Sequence, residues 1–164
     1  MVNDNIIIEN ARIGFRNFSG KEGKFNPAGR RNFCVFIDHD LAAKLSGDGW
    51  NIRYLQPRDP EDDTQAYIPV AVNFKFNPPK IVLVTKKSKT KLEEEEVNIL
   101  DWAEIAKVDL TLRPYNWEVN GKTGVKAYLK TMYVTIVEDD FADKYGDIPE
   151  GASFDSSEFD YNGN

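Results

Sequence analysis

Arg113, Tyr115, Trp117, Lys126, Tyr128 and Lys130 are the residues of this 164-residue chain whose types and spacing best suit a chemical task. They fall at alternate positions in segments 106–119 and 122–137, which flank Asn120-Gly121, the preferred pair for a type I′ hairpin turn. A two-residue turn sets Arg113 opposite Tyr128, Tyr115 opposite Lys126 and Trp117 opposite Gly124. One face of the hairpin then interleaves flat rings with cations. Rings of this kind stack unpaired bases at about 1–3 kcal/mol per base, and the cations neutralise phosphates. The chemistry is that of binding single-stranded nucleic acid. The plain alternative is a second apolar layer covered by the rings, with the lysine stems lying along it.

Two further groups extend the same chemistry. Arg12, Arg16 and Phe18 share a parity on a first strand, and Lys24, Phe25, Arg30 and Arg31 follow in a turn-rich loop. The run 86–91, KKSKTK, adds Lys86 and Lys87. The expected stacking residues are therefore Tyr115, Trp117, Tyr128, Phe18 and Phe25. The expected phosphate contacts are Arg12, Arg16, Lys24, Arg30, Arg31, Lys86, Lys87, Arg113, Lys126 and Lys130. None of these groups carries a base-specific code, so sequence-tolerant binding is predicted.

Other chemistry finds little support. His39 is the only histidine and Cys34 the only cysteine, which rules out an internal disulfide and a cysteine-based metal cage. Catalysis that depends on a histidine base would have to use His39, which sits beside a helix cap. There is no P-loop, dinucleotide glycine pattern or zinc spacing, and no cofactor or metal is expected. Asp59, Glu61, Asp62 and Asp63 could ligate Mg²⁺ in a nuclease acting on branched DNA. A run of carboxylates without a neighbouring lysine reads more simply as solvated loop. A β-rich virion or adaptor protein using its aromatics as a protein interface is a third reading.

Charge is divided unevenly. Residues 138–164 hold nine acidic side chains and one lysine, net −8, whereas the rest holds twenty basic and eighteen acidic groups, net +2. Such an acidic strip, dotted with Phe154, Phe159 and Tyr161, buries too little apolar surface to offset its ordering entropy and is predicted to be disordered. It resembles a nucleic-acid strand electrostatically. One folded domain over 1–137 and a tail over 138–164 follow. No stretch reaches the roughly 18 apolar residues of a membrane span, and the N-terminus lacks the cationic flank of a secretory signal, so a cytosolic chain is expected.

The elements that must position these residues are mostly strands. Apolar and turn residues predict strands over 5–18, 31–37, 50–56, 68–76 and 80–85 before the hairpin. Asp38 or Asp40 can cap a short helix carrying Leu41 and Leu45 on one face, ended by Gly47 and Gly49. A second helix is predicted at about 91–104, with Thr90 and Glu93 at capping-box spacing and Leu92, Ile99 and Trp102 burying. On the return strand of the hairpin, Met132, Val134 and Ile136 share the parity of Lys126 and Lys130. A bulge near Lys130 or Thr131 would reconcile the two.

GRRNFCVFIDHDLAAKLSGDGWNI, residues 29–52, and LTLRPYNWEVNGKTGVKAYLKTMYVTIVED, residues 110–139, resemble the phage single-stranded DNA-binding proteins, as does the acidic, aromatic-dotted terminus. The resemblance implies a mainly β, OB-fold-like five-stranded Greek-key barrel with extra strands, one or two short helices and an acidic tail. It implies a non-enzymatic protein, monomer or homodimer, that coats and protects single-stranded DNA during phage replication and recombination in the cytoplasm of an infected bacterium. Its tail would occupy the DNA groove when DNA is absent and recruit replication proteins.

Overall fold

The structure is a computed structural model that describes residues 1–138. The acidic tail expected over 138–164 lies, beyond Glu138, outside the described residues. Nine strands form one mixed sheet: β1 Ile6–Ile8, β2 Arg12–Asn17, β3 Arg31–Ile37, β4 Arg53–Leu55, β5 Gln65–Val72, β6 Lys80–Val84, β7 Lys89–Lys91, β8 Ile105–Val119 and β9 Lys122–Ile136. The main path runs β1-β8-β9-β5-β3-β2, with β4 on β5 and the β6–β7 pair joined to β9. The mainly β class is as expected. The sheet does not close on itself, however, since β1 and β2, at the two ends of the path, do not pair with each other among the described residues.

The hairpin β8–β9 is the organising element. Its register is the one a two-residue Asn120-Gly121 turn dictates, with Arg113 on Tyr128, Tyr115 on Lys126 and Trp117 on Gly124. Asn120 and Gly121 take φ of 52° and 78°, the left-handed pair such a turn needs. Beyond it, Leu112 pairs with Leu129 but Thr111 pairs with Thr131, leaving Lys130 as the extra residue of a bulge. The bulge lets Val125, Ala127 and Leu129 on one side of it, and Met132 and Val134 on the other, all enter the core. With Phe33, Val35 and Ile37 of β3, Ala66, Ile68, Val70 and Val72 of β5, and Val108, Leu110 and Leu112 of β8, they form a single apolar cluster.

The helix α1, His39–Gly47, is capped by Asp38, whose carboxylate accepts the Leu41 N–H at 2.7 Å. Gly49 (φ 100°) turns the chain, and the Trp50 N–H then donates to Leu45 O at 3.0 Å.

Several expected elements differ. The strand over 5–18 is divided at Asn10, whose φ of 53° turns the chain so that β1 pairs with β8 and β2 with β3. The strand over 50–56 contracts to β4. The strand over 68–76 stops at Val72, because Asn73 Oδ1 accepts the Lys75 and Phe76 N–H groups in a turn. Thr85 and Ser88 fold the basic run back so that β7 pairs with β6.

No α-helix forms over 91–104; the segment holds only a 3₁₀ helix, Val97–Asp101. Tertiary bonds replace helical ones there. Arg16 Nη1 donates to Leu100 O and Ala103 O at 3.0 and 2.8 Å, and the Asp101 carboxylate accepts the Phe18 and Ser19 N–H groups. Leu92 is buried as expected, but Trp102 is exposed. No helix among the described residues is long and apolar enough to cross a membrane.

Candidate nucleic-acid interface

Strand alternation leaves a second face opposite the core. Asn32 and Cys34 of β3, Pro69 and Ala71 of β5, and Lys126 and Tyr128 of β9 lie on it and line a groove of about 1430 Å³. Ala71 pairs directly with Tyr128, so the β5 and hairpin surfaces are continuous. The loop after β2 contributes Phe25 and Arg30, β3 begins with Arg31, and Trp117 completes the hairpin end.

Trp117 lies across its cross-strand partner. A Cβ placed on Gly124 would sit 2.5 Å from Trp117 Cζ2, so the absence of a side chain at Gly124 is what lets the indole cover the strand. The indole remains 36% exposed. Tyr128 is half-buried under two cations, with the Arg113 guanidinium carbon 5.2 Å and the Lys126 ammonium 5.1 Å from its ring centroid. Tyr115 meets Tyr128 edge-on at 5.8 Å and keeps its other surface open. Phe25 is 89% exposed, with the Lys24 ammonium 5.4 Å from its centroid.

Arg31 is held between two neighbours. Its Nη1 donates to Glu94 Oε2 at 2.9 Å, its guanidinium lies 5.6 Å from the Phe74 centroid, and its Nε is buried without a partner. Glu94 is thus the acidic group a phosphate would have to displace. Cys34 faces the groove, where burial pushes its thiol up to about 11 despite a smaller opposing effect from Arg53.

The remaining sequence candidates fall elsewhere. Phe18 is 0% exposed and stacks on Phe33 at 5.0 Å within the core, so it has no surface to offer a base. Arg16 is committed to the two carbonyls of the 3₁₀ segment. Arg12 lies beside the groove, its guanidinium carbon 5.6 Å from the Phe36 centroid and its Nη2 3.3 Å from Gln65 Oε1. Lys130 is the bulge residue. Lys86 and Lys87 occupy the β6–β7 turn, where the Lys86 N–H donates to Glu138 Oε2 at 2.8 Å.

The groove also contains residues that the sequence reading overlooked, among them Phe15, Arg53, Tyr67, Phe74 and Lys75. Tyr67 had a usable signal, since its parity is opposite to that of Ile68 and Val70. Phe36, which meets Phe15 and Tyr67 from beside the groove, did too, because Phe33, Val35 and Ile37 claim the other face of β3.

The carboxylates of the acidic loop, Asp59, Glu61, Asp62 and Asp63, are exposed. Asp59 Oδ1 accepts the Glu61 N–H at 3.0 Å in an exposed turn, and no three His, Cys, Asp or Glu side chains among the described residues group to hold a metal ion. His39 Nε2 donates to Thr64 O at 2.7 Å.

Among solved structures, the chain is similar to the single-stranded DNA-binding protein from bacteriophage Enc34 in complex with ssDNA. The TM-score is 0.54 at 13% identity, over 84% of this chain and 89% of that one. A C-terminal truncation of the Enc34 protein gives a TM-score of 0.53 at 12% identity, over 82% and 87% of the two chains. These likenesses establish a shared fold. No individually curated protein matches the sequence. The family model described as "Putative phage ssDNA-binding domain" matches residues 1–160, nearly the whole chain, and the protein belongs to that family.

Proposed function

We propose that this protein coats and protects single-stranded DNA, largely without sequence preference, during phage replication and recombination in the cytoplasm of the infected host. Family membership supplies the substrate class, and the fold is shared with a protein whose structure contains ssDNA. The observation that carries the reading is the single groove in which Trp117, Tyr128 and Phe25 stand among Arg30, Arg31 and Lys126. Rings supply stacking to any base, and cations supply phosphate neutralisation that falls with salt. In this reading Tyr115, Trp117, Tyr128 and Phe25 stack, Arg30, Arg31 and Lys126 meet phosphates inside the groove, Arg113 meets them beside the Tyr128 ring, and Lys24, Arg12, Lys86, Lys87 and Lys130 guide the strand outside it. Phe18 and Arg16 are structural. The sheet is read as an OB-type barrel left open, and its role is binding, not catalysis.

The tail is the second part of the proposal. Residues 138–164, net −8, act as a polyanion that competes for the groove and recruits replication proteins. Titrating oligo-dT at several salt concentrations, with binding read from tryptophan fluorescence, tests both parts. The log of affinity should fall linearly with log salt, by about 0.7 per phosphate neutralised. Deleting 138–164 should tighten binding at low salt and steepen that slope. Equal affinity and slope in the two chains would refute competition, and no binding by either would refute the function.

A further inference from the structure

We infer, resting on the reading of the groove given above, that Phe15, Phe36 and Tyr67 form a second base-stacking station, distinct from the Tyr128 ring and flanked by Arg12 and Arg53. A bound strand is then held at two places. Phe15 carries the first observation. Its φ is 49°, a left-handed conformation that bulky residues rarely adopt, and its side chain is 61% exposed. It sits within a register shift between Gly14 and Asn17, where β2 inserts one extra residue against β3. An unfavourable backbone holds an apolar ring in water, and a ligand that covers the ring accounts for the arrangement.

The second observation is a repeated device. A Cβ on Gly14 would lie 2.6 Å from the Phe36 ring, just as one on Gly124 would lie 2.5 Å from the Trp117 ring. Each region has a strand glycine that lets an aromatic ring lie across the backbone. Phe36 pairs with Tyr67 across β3–β5, and Phe15 completes a triangle with ring centroids 6.1, 6.2 and 6.4 Å apart. The rings meet at tilted or edge-on angles of 58° to 68°, so their faces are not consumed by stacking on one another. Arg12 stands 5.6 Å from the Phe36 centroid, and Arg53 is the cross-strand partner of Tyr67. The station thus has cations on two sides.

Separation follows from register. Tyr67 precedes Ala71 by four positions on β5, and Ala71 pairs with Tyr128. At about 3.3 Å per residue, Tyr67 and Tyr128 are about 13 Å apart along the strand. With bases at about 3.4 Å, that is roughly four stacked nucleotides, and fewer if the strand is stretched.

An oligo-dT ladder from about 3 to about 16 nucleotides, measured by anisotropy at fixed salt, tests the inference. The parent protein should show a second rise in affinity once the strand reaches both stations. Phe15→Ala and Tyr67→Ala should abolish that rise, weakening long oligomers by about 5- to 100-fold while leaving the shortest binding oligomers unchanged. Phe15→Leu, which keeps apolar bulk without a π face, should behave like Phe15→Ala, and Phe15→Tyr should restore the rise. Equal losses at all lengths, or no loss with thermal unfolding unchanged, would overturn the second station. Altered self-association without any change in the ladder would assign the rings to a protein interface and overturn it equally. Failure of the parent protein to bind any length would instead refute the single-strand reading beneath it.

Discussion

Gly124→Ala separates ring placement from fold stability, because it should move the two in different directions. Gly124 does not require a left-handed backbone, so alanine fits the local conformation. Replacing glycine within a strand by alanine gains roughly 0.5–1 kcal/mol of conformational entropy. The new Cβ, however, would lie 2.5, 2.7 and 2.9 Å from Trp117 Cζ2, Cε2 and Nε1. The indole must swing away, at a cost of about 0.5–1.5 kcal/mol if it leaves its rotamer well. These effects nearly cancel, and the melting temperature should barely change.

Binding has no such compensation. If the flat indole stacks a base, displacing it forfeits up to the full stacking energy of about 1–3 kcal/mol, a loss of about 5- to 150-fold. The decisive measurement is a double-mutant cycle with Trp117→Ala, using the anisotropy of labelled oligo-dT so that no reporter is removed. Gly124→Ala should weaken binding in the parent protein and do nothing further once Trp117 is gone. The salt slope should stay constant throughout, since no cation is lost. Equal losses in both backgrounds would show that Gly124 acts through the backbone, and no loss in the parent would show that the indole does not stack.

Glu94→Gln should release Arg31 for phosphate, tightening oligo-dT several-fold and steepening the salt slope by about 0.7, with little change in melting because an ion pair whose carboxylate is half exposed contributes only about 0–1 kcal/mol. An unchanged slope would mean that Arg31 never reaches the strand. Cys34, with its thiol pushed up to about 11, should alkylate slowly at neutral pH, and oligo-dT should slow it further. Its unfolded form ionises first, near 9.0, so from about pH 9 to 11 the protein should lose stability relative to Cys34→Ser as pH rises, and parallel curves in denaturant would refute this.

Two bulges show where the sequence could be read and where it could not. In the hairpin, turn chemistry fixed the register, and apolar residues stood on both sides of the irregularity. Lys126 and Lys130 claimed the outer face and Met132 and Val134, on the same parity, the core, so an inserted residue near Lys130 or Thr131 reconciled the two. In β2 the same event left no such trace. Parity counted from Arg12 through Gly14 and Arg16 placed Phe18 on the outer face, but Gly14 pairs with Cys34 and Asn17 with Asn32, which adds one residue between them. That insertion reverses the faces. It sends Phe18 into the core against Phe33 and brings Phe15 out beside Phe36 and Tyr67. The helix predicted over 91–104 failed for a related reason. Its capping-box spacing was a local signal, whereas Arg16, on the same shifted strand, satisfies the carbonyls from a distance. The mistaken stacking residue, the overlooked one and the missing helix all meet at β2, where a single extra residue decides which aromatic ring faces a ligand.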